Sequence, residues 1–301
     1  MPNHTISSKS ILKADLLLNT SSVLGEGAIW NHQDEMLYWV DIEQKQLHWL
    51  EPISQKHETI SFEKKISTVV PTLKGALLIA LEDGIYNYNT STQELNLIQP
   101  NPENSSTGNR FNDGKCDPSG RFWVGTLGNN ESAALYRLDA DYKFHTILTG
   151  ITNSNGILWS PDNQTMYHID TPTYEVKAYE FDNNTGQISN CRTAITVPKH
   201  MGYPDGATID SEGMIWIALW GGYSVSRWDP NTGELISMVT VDSKNVSSCA
   251  FGGKNLDTLY ITTAKTQVSP EALNEHPYSG GLFVVKPGVK GIKANLFTDQ
   301  D

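Results

Sequence analysis

Short apolar runs rich in Val, Ile, Tyr and Trp alternate along the chain with clusters of Gly, Pro, Asn and Asp. Examples are "RFWVGTL" (121–127), "TMYHID" (165–170), "MIWIAL" (214–219) and "TLYITT" (258–263). Long helical periodicity is scarce, and one helical turn is expected over 270–274. Many short strands at regular spacing, bounded by turn formers, predict an all-β protein.

The runs align on one another through a polar residue, usually followed by Gly, that precedes the strand's aromatic residue by ten to twelve positions. The spacings between these polar residues are 42, 45, 42, 50 and 43. Repeats of this length, each with about four short strands, predict a six-bladed β-propeller in which equivalent positions ring a central channel. We call these positions the polar ring: Glu26, Thr68, Asp113, Asn155, Asp205 and Ser248.

No linker or change of composition divides the sequence, so a single domain is predicted over 1–301. The first 16 or so residues are expected to form an N-terminal extension or a strand that closes the last blade and removes a sheet edge. The sequence leaves open whether the chain is a monomer or a weak homodimer.

Charge and composition exclude several classes of partner. The formal charge of −12 disfavours nucleic acid and anionic membrane surfaces. No apolar run is long enough to span a membrane, and the N-terminus lacks a signal-peptide pattern. Three scattered cysteines suit neither a disulfide framework nor a thiolate metal site, so a reducing, cytoplasmic location is expected. The serine-hydrolase elbow, P-loop and dinucleotide motifs are absent.

Three members of the polar ring offer hard oxygen donors: Glu26, Asn155 and Asp205. Two carboxylates match the charge of one divalent cation, and oxygen ligands suit calcium, magnesium or manganese, with zinc a less favoured alternative. A competing interpretation is that Asp-Gly and Asn-Gly are ordinary turn formers. The Glu-Gly at the first position, a poor turn former, favours the metal site.

The stretch "NRFNDG" (109–114) adds further polar groups near the ring. Adjacent side chains diverge, so only one of Asn112 and Asp113 is expected to point down the channel. Arg110 is a candidate for binding a polar or anionic part of a substrate, or alternatively a surface arginine on a loop. His168, within "MYHID", is interpreted as a half-buried strand residue and not as a catalytic base.

Several long motifs resemble the regucalcin (senescence marker protein)/gluconolactonase/luciferin-regenerating-enzyme-like family, sugar-lactonase type. The resemblance begins near Leu17 and runs to the C-terminus. It rests on "GEGAIWNHQDEMLYWVDI", "RFNDGKCDPSGRFWVGTL", "NGILWSPDNQTMYHIDTPTYEVKAYEFD", "PDGATIDSEGMIWIALWGGYSVSRWDP" and the tail from 261 to 294.

The resemblance implies a six-bladed propeller with a metal site in the central channel. It implies Glu26, Asn155 and Asp205 as metal ligands, with calcium preferred, and Asp205 as the proton-transfer residue. It also implies Arg110 and Asn112 as substrate-binding residues, which selects Asn112 over Asp113.

The function expected on this basis is divalent-metal-dependent opening of sugar lactones, such as gluconolactone, to aldonic acids. Two alternatives remain: hydrolysis of organophosphorus or other activated esters at the same metal, and a non-enzymatic calcium-binding propeller. The segment 128–131 departs from family members that carry an acidic pair and a longer loop there. This departure bears on the sugar preference.

Overall fold

The computed structural model describes residues 11–103 and 107–299 of the chain. As predicted, the regular secondary structure of these residues is almost entirely β-strand, with one short α-helix, α1 (Pro270–Glu275), and two 3-10 turns at Thr171–Thr173 and Lys199–Met201. The strands are β1 (Ile11–Lys13), β2 (Asp15–Leu18), β3 (Gly25–Asn31), β4 (Met36–Asp41), β5 (Gln46–Glu51), β6 (Lys56–Ser61), β7 (Ile66–Pro71), β8 (Leu77–Leu81), β9 (Gly84–Tyr88), β10 (Leu95–Pro100), β11 (Arg110–Cys116), β12 (Phe122–Leu127), β13 (Ala133–Leu138), β14 (Phe144–Ile151), β15 (Ser154–Trp159), β16 (Thr165–Asp170), β17 (Glu175–Asp182), β18 (Gln187–Thr196), β19 (Tyr203–Ile209), β20 (Ile215–Trp220), β21 (Ser224–Trp228), β22 (Leu235–Thr240), β23 (Asn245–Gly252), β24 (Thr258–Ala264) and β25 (Leu282–Val285).

Consecutive strands pair antiparallel within sheets. Four sheets contain four strands each: β3–β6, β7–β10, β11–β14 and β15–β18. The remaining strands form a nine-stranded sheet, in which β20 and β23 are joined only by the pair Trp220 and Asn245. Because β20 and β23 share so little pairing, the large sheet separates into two sets. One is β19–β22 with β1, and the other is β23–β25 with β2.

The first strands of these six sets contact one another in a closed cycle. The order is β3, β7, β11, β15, β19, β23 and back to β3. The core lies between the faces of neighbouring sets, as where Trp30 stacks on Tyr260 with ring centroids 6.0 Å apart. Because the inner strands are buried at consecutive positions, as in β8 and β20, both faces of a set are packed against its neighbours.

The N-terminal strands lie at the outer side of the last two sets. β2 pairs antiparallel with β25, and β1 pairs parallel with β22. The predicted extension or closing strand over the first 16 or so residues lies partly outside the described residues, which begin at 11. No helix in 11–103 and 107–299 is long and apolar enough to cross a membrane.

The C-terminal segment 291–298 crosses one end of the ring. Gly291 pairs with Asp210, and Phe297 pairs with Thr72, so the segment extends from the fifth set to the second. Phe297 is fully buried. The segment therefore covers the end of the channel at which the first strands terminate.

A buried aspartate at a turn ties the second strand of a set to its neighbours. Asp210 accepts hydrogen bonds from Trp216 Nε1 at 2.9 Å and from Arg227 Nε at 2.8 Å. Its side chain is fully buried, and that of Arg227 is only 11% exposed. The third set repeats the arrangement, with Asp117 accepting from Trp123 Nε1 at 2.9 Å.

Replacing Asp210 by alanine is expected to lower the free energy of unfolding by about 3–5 kcal/mol, because the buried Trp216 indole loses its acceptor and Arg227 loses the buried one of its two carboxylate partners and keeps only Glu212. Urea denaturation measures the loss. Asp141→Ala is the matched control, since Asp141 pairs with Lys143 at the surface and should change stability little. Equal effects of the two substitutions would contradict this account of Asp210.

Candidate active site

The polar ring lies on the first strands of the six sets, at an irregularity in each strand. The pairing register with the second strand shifts next to the ring position in every case, for example between Glu26 and Ile29 and between Asn155 and Leu158. Such bulges bend a strand and redirect a side chain. The strands that carry the irregularity are β3, β7, β11, β15, β19 and β23.

The glycines that follow ring residues belong to these bulges. Gly27 and Gly156 have φ of 61° and 43°, a left-handed region that favours glycine. A Cβ on Gly156 would lie 2.3 Å from Ile169 Cδ1 and 3.1 Å from the Asp205 carbonyl oxygen. The interpretation of these dipeptides as hairpin turns is therefore wrong, because they lie within strands where neighbouring backbones approach closely.

A chain of hydrogen bonds connects three of the predicted site residues. Arg110 donates to Asn112 Oδ1 at 2.7 Å. Asn112 Nδ2 in turn donates to Asn155 Oδ1 at 2.9 Å and to Asn153 Oδ1 at 3.1 Å. Asn112 and Asn155 are buried, and Arg110 is half-buried. Arg110 is therefore fixed inside the channel and is not a surface residue on a loop.

The two predicted carboxylate ligands lie in one electrostatic environment. Burial and the neighbouring Asp113 carboxylate raise the pKa of Glu26 to about 8. Burial, Glu26 and Asp113 raise the pKa of Asp205 well above its usual range, against the opposing effect of Arg110. Arg110 acts on Glu26 and Asp205, whereas Lys115 is the cation that acts on Asp113. Three carboxylates thus face two cations, so this part of the channel has a deficit of positive charge.

Asp113 contributes more than the sequence suggested. Burial raises the pKa of its carboxyl group. Its Oδ1 accepts a hydrogen bond from the Gly114 N–H at 2.8 Å, whereas its buried Oδ2 has no partner among the described residues. Both its charge and its unpaired oxygen favour a cation in the channel. The sequence could not reveal this, because only one of two adjacent side chains was expected to face inward.

Two further residues that the sequence did not single out support the site. Asn155 Nδ2 donates to Thr171 Oγ1 at 2.8 Å, and Thr171 Oγ1 donates to the Pro204 carbonyl at 2.8 Å. Thr171 therefore links Asn155 to the residue before Asp205. Asn153 accepts from Asn112. Asn153 lies two residues before Asn155, but Thr171 follows β16 far from any ring residue in the sequence, so spacing gave no signal for it.

A divalent ion at this site would depend on an amide as well as carboxylates. In the described ranges, no group of three or more His, Cys, Asp or Glu side chains is gathered so as to hold a metal by itself. Glu26 and Asp205 supply two carboxylates, and Asn155 Oδ1 keeps one lone pair beyond the bond from Asn112. This set of hard oxygens fits a cation such as calcium or magnesium, with the other coordination positions left to water or substrate.

The short loop 128–131 lies beside the same edge of the channel. The Gly128 N–H donates to the Thr152 carbonyl at 2.9 Å, and Leu127 forms a bridge with Asn153. The charge of Glu131 contributes to a raised pKa of Asp170, whose largest cause is burial. The loop therefore brings one acidic side chain towards the segment that carries the site asparagines.

His168 is a structural residue beneath the ring. It is buried and lies 2.8 Å from Ser154 Oγ, and burial lowers the pKa of its imidazole to about 4. An unfolded histidine binds a proton near pH 6.5, whereas the folded one stays neutral until about pH 4. Stability is therefore fully present above pH 6.5 and is lost as the pH falls towards 4.

We expect His168 to contribute a decrease of about 3 kcal/mol in the free energy of unfolding between pH 6.5 and pH 4. Urea denaturation over this range measures the decrease. His168→Gln, which keeps a group able to hydrogen-bond Ser154, should flatten the pH dependence whatever its effect at pH 7. An unchanged slope in the variant would contradict the assignment.

Comparison with known proteins identifies the family. The SMP-30/Gluconolactonase/LRE-like region matches residues 24–265. YvrE of Bacillus subtilis (strain 168), whose name assigns it to the sugar lactone lactonases, is 39% identical over 277 residues, covering 91% of this chain and 93% of its own. Regucalcin of Danio rerio is 35% identical over 301 residues, covering 96% and 99%.

Among solved structures, regucalcin of Agrobacterium tumefaciens, described as a calcium-binding protein, superimposes with a TM-score of 0.90. It is 28% identical and covers 96% of this chain and 99% of its own. The family match covers β3 to β24, which include the strands that carry Glu26, Asn155 and Asp205. The chain therefore belongs to the SMP-30/gluconolactonase/LRE-like family.

Proposed function

We propose that the chain is a six-bladed β-propeller that holds one divalent metal ion in its channel and hydrolyses sugar lactones, such as gluconolactone, to aldonic acids. The observation that carries the proposal is the pair of electrostatically linked carboxylates, Glu26 and Asp205, beside the hydrogen-bonded chain Arg110–Asn112–Asn155. Family membership supports lactone hydrolysis in general. The number of blades, the metal ion and the sugar substrate go beyond family membership and are part of this proposal.

Glu26, Asn155 and Asp205 would hold the ion. Calcium is preferred because a structural relative is described as a calcium-binding protein; the hard oxygen donors also suit magnesium and manganese, and zinc less well. The two carboxylates balance the charge of the ion, and the bound ion relieves the repulsion between them. When bound, such an ion polarises a carbonyl oxygen and stabilises negative charge on it. Asp113 adds negative potential without being needed as a ligand.

Asp205 is the proposed proton-transfer residue. One of its carboxylate oxygens accepts a proton from the attacking water as the new carbon–oxygen bond forms at the lactone carbonyl. The same group returns that proton to the ring oxygen as the ester bond breaks, which leaves a hydroxy acid. A carboxylate is a weak base, and this suffices for an activated ester but not for an amide.

Arg110 and Asn112 are the proposed substrate-binding residues. The Arg110 guanidinium donates to Asn112 and keeps further N–H groups for the hydroxyl oxygens of a sugar lactone. Their fixed geometry supplies orientation, since both side chains are held by hydrogen bonds before substrate binds.

The test is hydrolysis of a panel of aldonolactones by the whole protein supplied with calcium, magnesium, manganese or zinc. Turnover of at least one sugar lactone with one ion supports the proposal and ranks both substrate and ion. An activated phosphotriester should be turned over more slowly than the best lactone. Hydrolysis of the phosphotriester alone, or ion binding without any turnover, would overturn the lactonase proposal in favour of the ester hydrolase or the binding protein.

A further inference from the structure

A cavity lies at the end of the channel opposite the polar ring. Its volume is about 90 Å³, counted over the positions that the centre of a water molecule can occupy. Its walls are formed by residues that follow ring positions along the first strands, such as Trp30 after Glu26 and Ile209 after Asp205. A strand advances about 3.3 Å per residue, so this far-end cavity lies roughly 10 Å along the channel from the ring.

The C-terminal segment 291–298 closes the far-end cavity and forms part of its wall. Ile292 and Lys293 line the space. Asn295 Nδ2 donates to the Cys116 carbonyl at 3.1 Å and so fixes the segment to β11. Lys293 is exposed, so the cavity reaches the surface beside this segment.

The charged side chains in the described lining of the cavity are all cationic. Lys115 and Lys293 line the cavity, and no Asp or Glu does so in the parts of the chain that the structure describes. Lys115 donates to the Ala207 carbonyl, which leaves it further N–H donors, although Asp113 lies near enough to offset part of its charge. In a chain with a formal charge of −12, such a lining is selective for an anion.

Trp159 adds aromatic surface to the wall. Its side chain is only 4% exposed and lines the cavity, and its buried Nε1 has no hydrogen-bond partner among the described residues. Because Nε1 is buried away from the open space, the indole offers a ligand its aromatic surface and not a hydrogen bond.

The rest of the wall is apolar and aromatic. Trp30, Phe251 and Ile209 are buried core residues that present part of their surface to the space. An aldonic acid, with a hydroxyl on almost every carbon, would leave such a surface unpaired, so the product of the proposed reaction does not fit. The wall favours a compact apolar body that carries one anionic group.

We propose that the far-end cavity binds a small organic carboxylate with an aromatic or branched apolar body, its carboxylate received by Lys115 and Lys293 and its apolar body by the aromatic wall. This site is separate from the metal site and does not depend on lactone hydrolysis. Binding requires no step of the proposed mechanism, so either proposal can fail without the other.

Benzoate is the probe, with benzamide as its neutral counterpart and acetate as the anion without a ring. Isothermal titration calorimetry measures affinity, and tryptophan fluorescence reports contact because Trp30 and Trp159 line the site. We expect benzoate to bind at least about fivefold more tightly than either comparison compound. Equal affinities for all three would overturn the proposal.

Two substitutions and one control test whether benzoate binds in this cavity. Lys293→Met should weaken benzoate binding about threefold without changing benzamide binding, since an exposed charge contributes modestly. Lys290→Met, three residues away in an exposed position outside the lining, is the matched control and should change neither. Lys115→Met should weaken benzoate about tenfold. If Lys293→Met and Lys290→Met behave alike, the carboxylate is not bound in this cavity.

Discussion

Asp205→Asn is expected to reduce the turnover of the best lactone substrate by about 10²–10⁴-fold, the usual contribution of a positioned acid or base. Asparagine preserves the shape of the side chain and can still offer a carbonyl oxygen, but it cannot accept the proton of the attacking water. Because the pKa of Asp205 is raised by burial and by Glu26 and Asp113, removing its charge relieves repulsion. The variant should therefore fold and be at least as stable as the parent protein when metal is removed.

Steady-state kinetics with thermal unfolding on the same preparations measures both effects. Asp141→Asn, a surface carboxylate paired with Lys143, is the matched control and should retain full activity. Full turnover in Asp205→Asn would rule out Asp205 as the proton-transfer residue. Loss of activity accompanied by unfolding would show a structural role instead.

Removal of divalent metal by EDTA, followed by gel filtration, is expected to lower lactone turnover by at least about 100-fold, since several kcal/mol of charge stabilisation at the carbonyl oxygen would be lost. Adding back the physiological ion should restore the rate. The metal-free protein should also lose thermal stability, because Glu26, Asp113 and Asp205 are then left to repel one another with only Arg110 and Lys115 to offset them.

Glu26→Gln tests the same idea without chelation. It removes one of the two proposed carboxylate ligands, so the affinity for the restoring ion should fall at least tenfold, while saturating metal recovers part of the rate. Calorimetric titration of the metal gives the affinity directly. Undiminished turnover after EDTA, with the metal content checked by elemental analysis, would remove the metal from the mechanism.

Local patterning was sufficient to predict the secondary structure and the repeat. Short runs of apolar, β-branched and aromatic residues bounded by turn formers mark buried strands, whatever the remaining structure. The recurring polar residue followed by glycine marked equivalent positions, and the structure brings these onto the first strands of six sets. The short helix α1 was recognisable from its proline at the first turn.

The role of each polar residue in the site depends on contacts between distant parts of the chain. Thr171, Asn153 and Asp113 joined the site because neighbouring first strands approach closely enough for hydrogen bonds and charge interactions. The same approach made glycine necessary at 156, within a strand and not at a turn. Sequence spacing contains no information on such distances.

The sequence by itself determined that this protein is built of β-strands in a repeat of about 45 residues, and which acids and amides stand at equivalent positions. Only the tertiary structure decided that Glu26, Asp113 and Asp205 interact with one another beside Arg110 and Lys115, and that residues 291–298 close the other end of the channel over a basic, aromatic cavity. The physical reason is that strand periodicity is a local property of the chain. Charge deficits and cavities arise from groups tens to hundreds of residues apart, whose distances are fixed only when the ring of first strands closes.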